Sequence, residues 1–270
     1  MALFPKPVYW IMSNKENKPF MSSHTQYGKV YRLKDKNDML RLLELEKGLA
    51  WTAHPRIKGS TGYPDAYKDE QFFKSDHFLG GAWKPMPADL SLPKLGNRVL
   101  DLLDDMNNWG NKKKIIAEAD LFTVTLENEM YAHMNINYLK LDSLPKFKDG
   151  WEPVLNAMTK GEFFSTTGEV LIPHFSMNGK KSGETLKLNA EGEAKVRIQI
   201  DWTFPLNYME IVSGDGTTVF REKVDLSKTK AFGSEEFEHS LNLHNRKWAR
   251  VEVWDIAANG AFTQTIYLSK

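Results

Sequence analysis

Two kinds of hydrophobic pattern run along the chain, and the changeover falls near residue 165. Asp38 stands before Met39, Leu40, Leu42, Leu43 and Leu45, and Gly48 follows them. An N-cap, an apolar face at helical spacing and a glycine stop predict a helix there. The run Leu49-Ala50-Trp51-Thr52-Ala53 predicts a short buried strand that delivers His54-Pro55-Arg56 at its carboxyl end. Leu95, Val99, Leu102, Leu103 and Met106 predict a second helix between Lys94 and Trp109. Phe122, Val124 and Leu126 alternate with threonines, and Met134, Ile136, Tyr138 and Leu139 follow, so two more strands are expected. Asp149-Gly150 then opens a helix carrying Trp151, Val154, Leu155 and Met158, stopped by Gly161.

From Phe163 onward the helical period is gone. Segments 170–172, 196–200, 208–212, 250–254 and 264–268 read as strands, separated by turn pairs such as Asn178-Gly179, Asp215-Gly216 and Asn259-Gly260. The expected fold class is therefore α/β followed by all-β: an α/β domain over residues 1–162 and a β-sandwich domain over residues 163–270.

Composition narrows the partners. Fifteen Phe, nine Tyr and eight Trp among 270 residues exclude a disordered chain. Lys plus Arg number 36 against 35 for Asp plus Glu, a net charge of +1, which gives no electrostatic reason to expect nucleic acid or an anionic membrane. Cysteine is absent, so a disulfide scaffold, a thiolate zinc site and a cysteine nucleophile are excluded. No apolar run approaches the roughly 20 residues of a membrane span. The start, Met1-Ala2-Leu3-Phe4-Pro5-Lys6-Pro7, does not read as a secretory signal. The expectation is a soluble chain without an export signal: cytoplasmic, or periplasmic or extracellular if a longer precursor carries one. The dinucleotide GxGxxG, the phosphate-binding P-loop, GxSxG, HExxH and any HxH pair are all absent, so nothing specifies a nucleotide cofactor.

The polar residues offer one main candidate region. His54 falls at a predicted strand end, where α/β proteins place reactive groups, with Arg56 beside it as an anion-binding fork. A structural histidine is the alternative. Glu129 and His133 stand four apart, and His133, Asn135 and Asn137 alternate. That polar set either binds a divalent metal (zinc, manganese or iron) or forms a hydrogen-bonded edge strand. Lys84 lies in an aromatic and proline-rich loop that could wall a pocket. Asp104 and Asp105 close a helix whose dipole disfavours them, and the Lys112-Lys113-Lys114 run is the expected relief.

Trp151-Glu152-Pro153-Val154-Leu155-Asn156-Ala157-Met158, then Lys160-Gly161-Glu162-Phe163-Phe164-Ser165-Thr166-Thr167-Gly168 and Asn178-Gly179, resembles a stretch of the carbaryl-esterase-like proteins of the polymerase-and-histidinol-phosphatase superfamily. Trp248-Ala249-Arg250-Val251-Glu252-Val253-Trp254-Asp255 is similar to the end of that family's sandwich, and Thr52-Ala53-His54-Pro55 to its His-Pro metal motif. The resemblance implies a distorted β/α barrel with a polynuclear metal site, in which metal-bound hydroxide hydrolyses a small phosphoester or other ester. His54, Glu129 and His133 would be metal ligands, and Arg56 and Lys84 would hold the substrate. The family's HxH and terminal Asp-x-His are missing, with His133-Met134-Asn135 near the place of the latter, so the chain reads as the carboxyl-terminal portion of a longer barrel. Exposed edges of such a partial barrel predict self-association. The competing expectation is a non-catalytic binding protein that uses the sandwich, for example for carbohydrate, with Trp202, Trp248 or Trp254 stacking on sugars, although core packing is expected for at least two of the three.

Overall fold

Asp35 rather than Asp38 caps the first helix, its carboxylate accepting from the backbone N–H groups of Asn37 and Asp38. The computed structural model describes residues 1–13, 18–57, 59, 61–84, 94–119 and 135–270. Its elements begin with β1 (Ala2–Leu3), β2 (Tyr9–Met12), β3 (Met21–His24), β4 (Gly28–Leu33), α1 (Lys36–Leu45) and β5 (Leu49–Thr52). There follow α2 (Gln71–Lys74), β6 (Phe78–Trp83), α3 (Asn97–Asn108), β7 (Lys114–Ala117), β8 (Ile136–Leu139) and α4 (Glu152–Lys160). The remainder is strand: β9 (Phe163–Thr166), β10 (Val170–Met177), β11 (Thr185–Lys187), β12 (Glu193–Trp202) and β13 (Leu206–Gly214). It closes with β14 (Val219–Asp225), β15 (Gly233–Asn242), β16 (Trp248–Asp255), β17 (Gly260–Thr263) and β18 (Ile266–Ser269). The strand predicted over 121–126 lies outside the described residues.

The α/β-then-all-β expectation, with its partial β/α barrel, is corrected. Strands make up 42% and helices 18%, and the described residues form four short helices and several sheets that do not close into a barrel. One small sheet has the order β1-β5-β6-β7, and only β5, β6 and β7 run parallel. Helices α1, α2 and α3 cover one of its faces through Leu43, Phe73 and Leu102, while Leu155 and Met158 of α4 and Phe163 of β9 cover the other. The β7 edge is closed by side chains. The Asn137 amide exchanges two hydrogen bonds with the Ala117 backbone, at 2.8 and 2.9 Å, and Gln264 does the same at Ile115, at 3.2 and 3.1 Å. An edge met in this way by amide groups has no need of a further barrel strand. Helix–strand alternation in the sequence was real, but it could not show which sheet each strand joins.

A sandwich fills the carboxyl-terminal part. Its larger sheet runs β11-β18-β16-β17-β9-β8, with β13 and β14 branching from β16, and a three-stranded sheet β10-β12-β15 packs across it. Val196, Ile198 and Ile200 from the small sheet meet Met209, Ile211, Val251 and Val253 from the large one in a single core. Strand β8 precedes α4 in the chain yet pairs with β9, so this sheet draws on residues ahead of 163. A fourth sheet, β2-β4-β3, packs on α1 through Tyr31, Leu33 and Leu42.

The lysine run after α3 is used for packing. Lys113 Nζ donates to the carbonyls of Ser75 and Phe78 at 2.7 Å each and lies over the Phe73 and Phe78 rings. Burial pushes Lys113 down to about 7, with the Lys114 charge adding to this, and burial pushes Lys114 down to about 8. The unfolded chain therefore binds more protons than the folded one between these values and the ordinary lysine range. Stability must rise with pH across that window. From pH 7 to pH 9 we expect a gain of about 1–3 kcal/mol by urea unfolding, flattened in Lys113→Met. Burial raises the phenols of Tyr63, Tyr208 and Tyr267, which reverses the slope above roughly pH 10. A flat profile between pH 7 and 9 in the wild type would show that Lys113 keeps its solvation.

Candidate functional site

The carboxyl ends of β5, β6 and β7 bring three of the sequence candidates to one side of the parallel sheet. His54 follows β5 by two residues and is half-buried, and Pro55 packs against Gly81 of β6. Lys84 directly follows β6, buried, with Nζ 3.2 Å from Glu118 Oε2 beyond β7. Trp51 Nε1 donates to the other Glu118 oxygen at 2.6 Å, so this carboxylate ties two strands together. Arg56 adopts a left-handed φ of 59° and is fully engaged. Its guanidinium donates to both Asp65 oxygens at 3.0 and 2.7 Å and to Asp105 at 2.6 Å. Burial opposes that charge, but the bonds to Asp65 and Asp105 overcome it and hold Arg56 above its ordinary value. An anionic substrate at Arg56 would have to displace two carboxylates.

Glu129 and His133, the other two proposed metal ligands, lie outside the described residues. Among the described residues, no group of three or more His, Asp or Glu side chains could hold a metal ion. Asn135 and Asn137, which share the predicted polar face, are hydrogen-bonded, the first to the Trp83 carbonyl at 3.3 Å and the second to β7.

A denser charged cluster sits between α3 and the sandwich, around Asp104. Arg250 is fully buried and reaches Asp104 through Nε at 2.7 Å and Nη2 at 2.6 Å. Its Nη1 lies 2.6 Å from Glu252, which also accepts from Lys94 Nζ at 2.7 Å and Trp254 Nε1 at 2.9 Å. Lys94 also bonds Glu210, and Arg221 joins Glu210 at 3.0 Å to Asp104 at 2.6 Å. The Arg250 Nη contacts are close ion pairs without hydrogen-bond angles. Burial pushes Asp104 up, to about 6, against the pull of Arg250 and Arg221. Burial opposes the Glu252 charge as well, yet Arg250 and Lys94 prevail and hold it down at about 2. Three cations thus meet three buried carboxylates. The lysine relief expected for Asp104 and Asp105 is replaced by arginines distant in sequence. A hollow of about 590 Å³ beside the cluster is lined by Lys94, Asn97, Asp101, Glu210, Arg221 and Lys223. Most of these charges are already spent on one another, so the cluster reads as a joint.

The sandwich itself leaves an open cleft of about 990 Å³. The small sheet ends at β10, whereas the large one continues through β9 to β8. The inner face of β8 and β9 is therefore left partly uncovered. Register puts Tyr138 opposite Phe164, and the two rings lie parallel, 5.1 Å apart at 3°. Phe164 packs on the sandwich core, and Tyr138 remains 44% exposed. Strand β10 borders the cleft with Pro173 and His174 at a β-bulge, where proline is tolerated because an edge strand has a free side. Ser143, Asn156, Lys160 and Ser182 stand on the rim. By contrast, Trp248 and Trp254 are 1% exposed and Trp202 is 7% exposed. The aromatic residues named from the sequence as sugar platforms are packed inside, and the exposed ring comes from β8 instead. A strand was expected at Tyr138, but its open face depends on how far the opposite sheet extends.

Among the described residues no helix is long and apolar enough to cross a membrane. Compared with known proteins, the chain matches no family model and no curated protein sequence.

Proposed function

We propose that this is a binding protein whose ligand is an oligosaccharide held in the cleft over β8 and β9. The observation that carries the reading is the exposed Tyr138 ring beside Phe164, on a floor that the shorter sheet fails to cover. A sugar ring has an apolar C–H face that stacks on an aromatic ring and a hydroxyl edge that needs hydrogen-bond partners. Ser143, Asn156 and Ser182 supply those partners around the floor. The cleft is wide and open, which suits several sugar units of a chain.

Calorimetric titration with a panel of neutral and acidic oligosaccharides tests the reading. Binding to at least one member is expected, weakened about tenfold or more in Tyr138→Ala, consistent with the loss of a stacking contact of roughly 1–2 kcal/mol. Tyr138 is exposed, so the variant should stay folded. No binding to any panel member would overturn the proposal. So would about one bound zinc, manganese or iron per chain together with ester hydrolysis that is lost in His54→Ala, which would favour the metal-dependent hydrolase instead.

A further inference from the structure

Alternation along β8 places Ile136, Tyr138 and Lys140 on one face, so a lysine follows the aromatic floor one strand period further on. The Lys140 backbone N–H bonds the Glu162 carbonyl at 2.9 Å, which extends the β8–β9 pairing past the named strand. Lys181 reaches the same place from the turn between β10 and β11. Both lysines line the cleft, and the neighbouring Lys181 side chain holds Lys140 below the ordinary lysine range. Glu162 and Asp142 pull the other way and do not prevail. Lys160 and His174 line the same cleft, as do Asp142 and Glu162. Among the described residues, no carboxylate forms an ion pair with Lys140, Lys160 or Lys181.

Two like charges facing each other on a surface are unfavourable unless the fold holds them there. Here the backbone brings the two segments that carry them to the same cleft. Gly183 has φ +84°, and a Cβ on it would stand 1.7 Å from the Lys160 carbonyl oxygen, so only glycine allows this turn to lie against the end of α4. The Gly183 N–H donates to Thr265 at 2.8 Å, and the Lys181 N–H donates to Glu184 at 2.7 Å. The other Glu184 oxygen is met by Lys180 at 3.4 Å.

We infer, resting on the oligosaccharide reading above, that the cleft selects acidic glycans: Lys140 and Lys181 together clamp a carboxylate or sulfate of a sugar whose ring lies on Tyr138. An anion between the two amines turns a repulsive pair into two charge-assisted hydrogen bonds. The repeat of an acidic polysaccharide then places further anions within reach of Lys160 and His174.

The test uses the whole chain in low-salt and 0.5 M salt buffer, titrated with oligogalacturonate, alginate, hyaluronan and heparin oligosaccharides. Methyl-esterified oligogalacturonate, xylan, mannan and cellulose oligosaccharides serve as neutral counterparts. At least one acidic probe should bind tenfold or more tightly than any neutral one and weaken with salt. The double variant Lys140→Gln/Lys181→Gln should remove that advantage and keep, or slightly raise, the thermal midpoint, because it relieves a like-charge contact. Binding to neutral probes only, with the double variant unchanged, overturns the acidic preference and leaves the oligosaccharide site standing. Acidic binding that survives the double variant overturns the clamp. No binding by any probe overturns both readings.

Discussion

Asp104→Ala is expected to lower the stability of the folded protein by about 3–5 kcal/mol, read as a drop in the urea or guanidinium midpoint at pH 7. The carboxylate is nearly inaccessible and lies between two guanidinium groups, with Arg250 itself fully buried. Truncation leaves Arg250 charged, without water and facing only Glu252, and an uncompensated buried ion is what makes such losses large. Arg221 should suffer less, because it is 31% exposed and can turn to solvent. The same physics predicts the opposite result for a matched replacement. Changing Asp104, Arg250 and Glu252 together to Leu, Met and Leu removes all three charges, and it should cost little if the volume is refilled. Lys94 keeps Glu210 as its partner in that variant. A loss under about 1 kcal/mol for Asp104→Ala would show that water enters the joint and solvates Arg250.

Trp83→Ala should cost about 3–5 kcal/mol and weaken the coupling between the small parallel sheet and the sandwich. The ring ends β6 with no exposed surface and meets Phe262 of the sandwich edge-on at 5.1 Å. Its Nε1 donates to the Leu95 carbonyl at 3.0 Å, so truncation also orphans an acceptor at the start of α3. Gly96 caps that helix in the left-handed region, and a Cβ there would stand 2.3 Å from the indole nitrogen. The neighbouring chain is thus fitted to the ring, and little can collapse into the void. Because Trp83, Phe262 and Trp254 belong to one apolar cluster, the small parallel sheet and the sandwich should unfold in a single transition. Calorimetry of the wild type checks this. Two resolved transitions, with only the earlier one moved by Trp83→Ala, would show that the seam does not couple them.

Both effects lie on contacts between residues far apart in sequence, and this explains why reading the chain missed them. Asp104 pairs with Arg250 across 146 positions, whereas the sequence offered Lys112 to Lys114 close by as relief. Those nearer lysines point elsewhere: Lys113 serves the carbonyls of Ser75 and Phe78. The strand at Phe78–Trp83 was also unreadable, since all six residues are buried and two are glycine, so neither alternation nor β-propensity marks it. The barrel expectation failed for a related reason. It was carried by a helix, a strand and turn pairs, which are local features shared by many architectures, and barrel closure is not local.

What the sequence determined by itself was short-range. The helices near 38–45, 94–109 and 151–160, the buried strand before His54 and the strands beyond 163 each follow from side-chain periodicity and from glycine or proline at the ends. The absence of cysteine fixed the exclusion of thiol chemistry in the same direct way. The tertiary structure alone decided that Trp202, Trp248 and Trp254 face inward while Tyr138 faces a cleft, and that Arg56 is consumed by Asp65 and Asp105. It also decided that Lys140 and Lys181 line one cleft. Periodicity tells a residue which side of its own strand it occupies. Whether that side is covered depends on where the opposing sheet stops, and only the packed chain sets that limit.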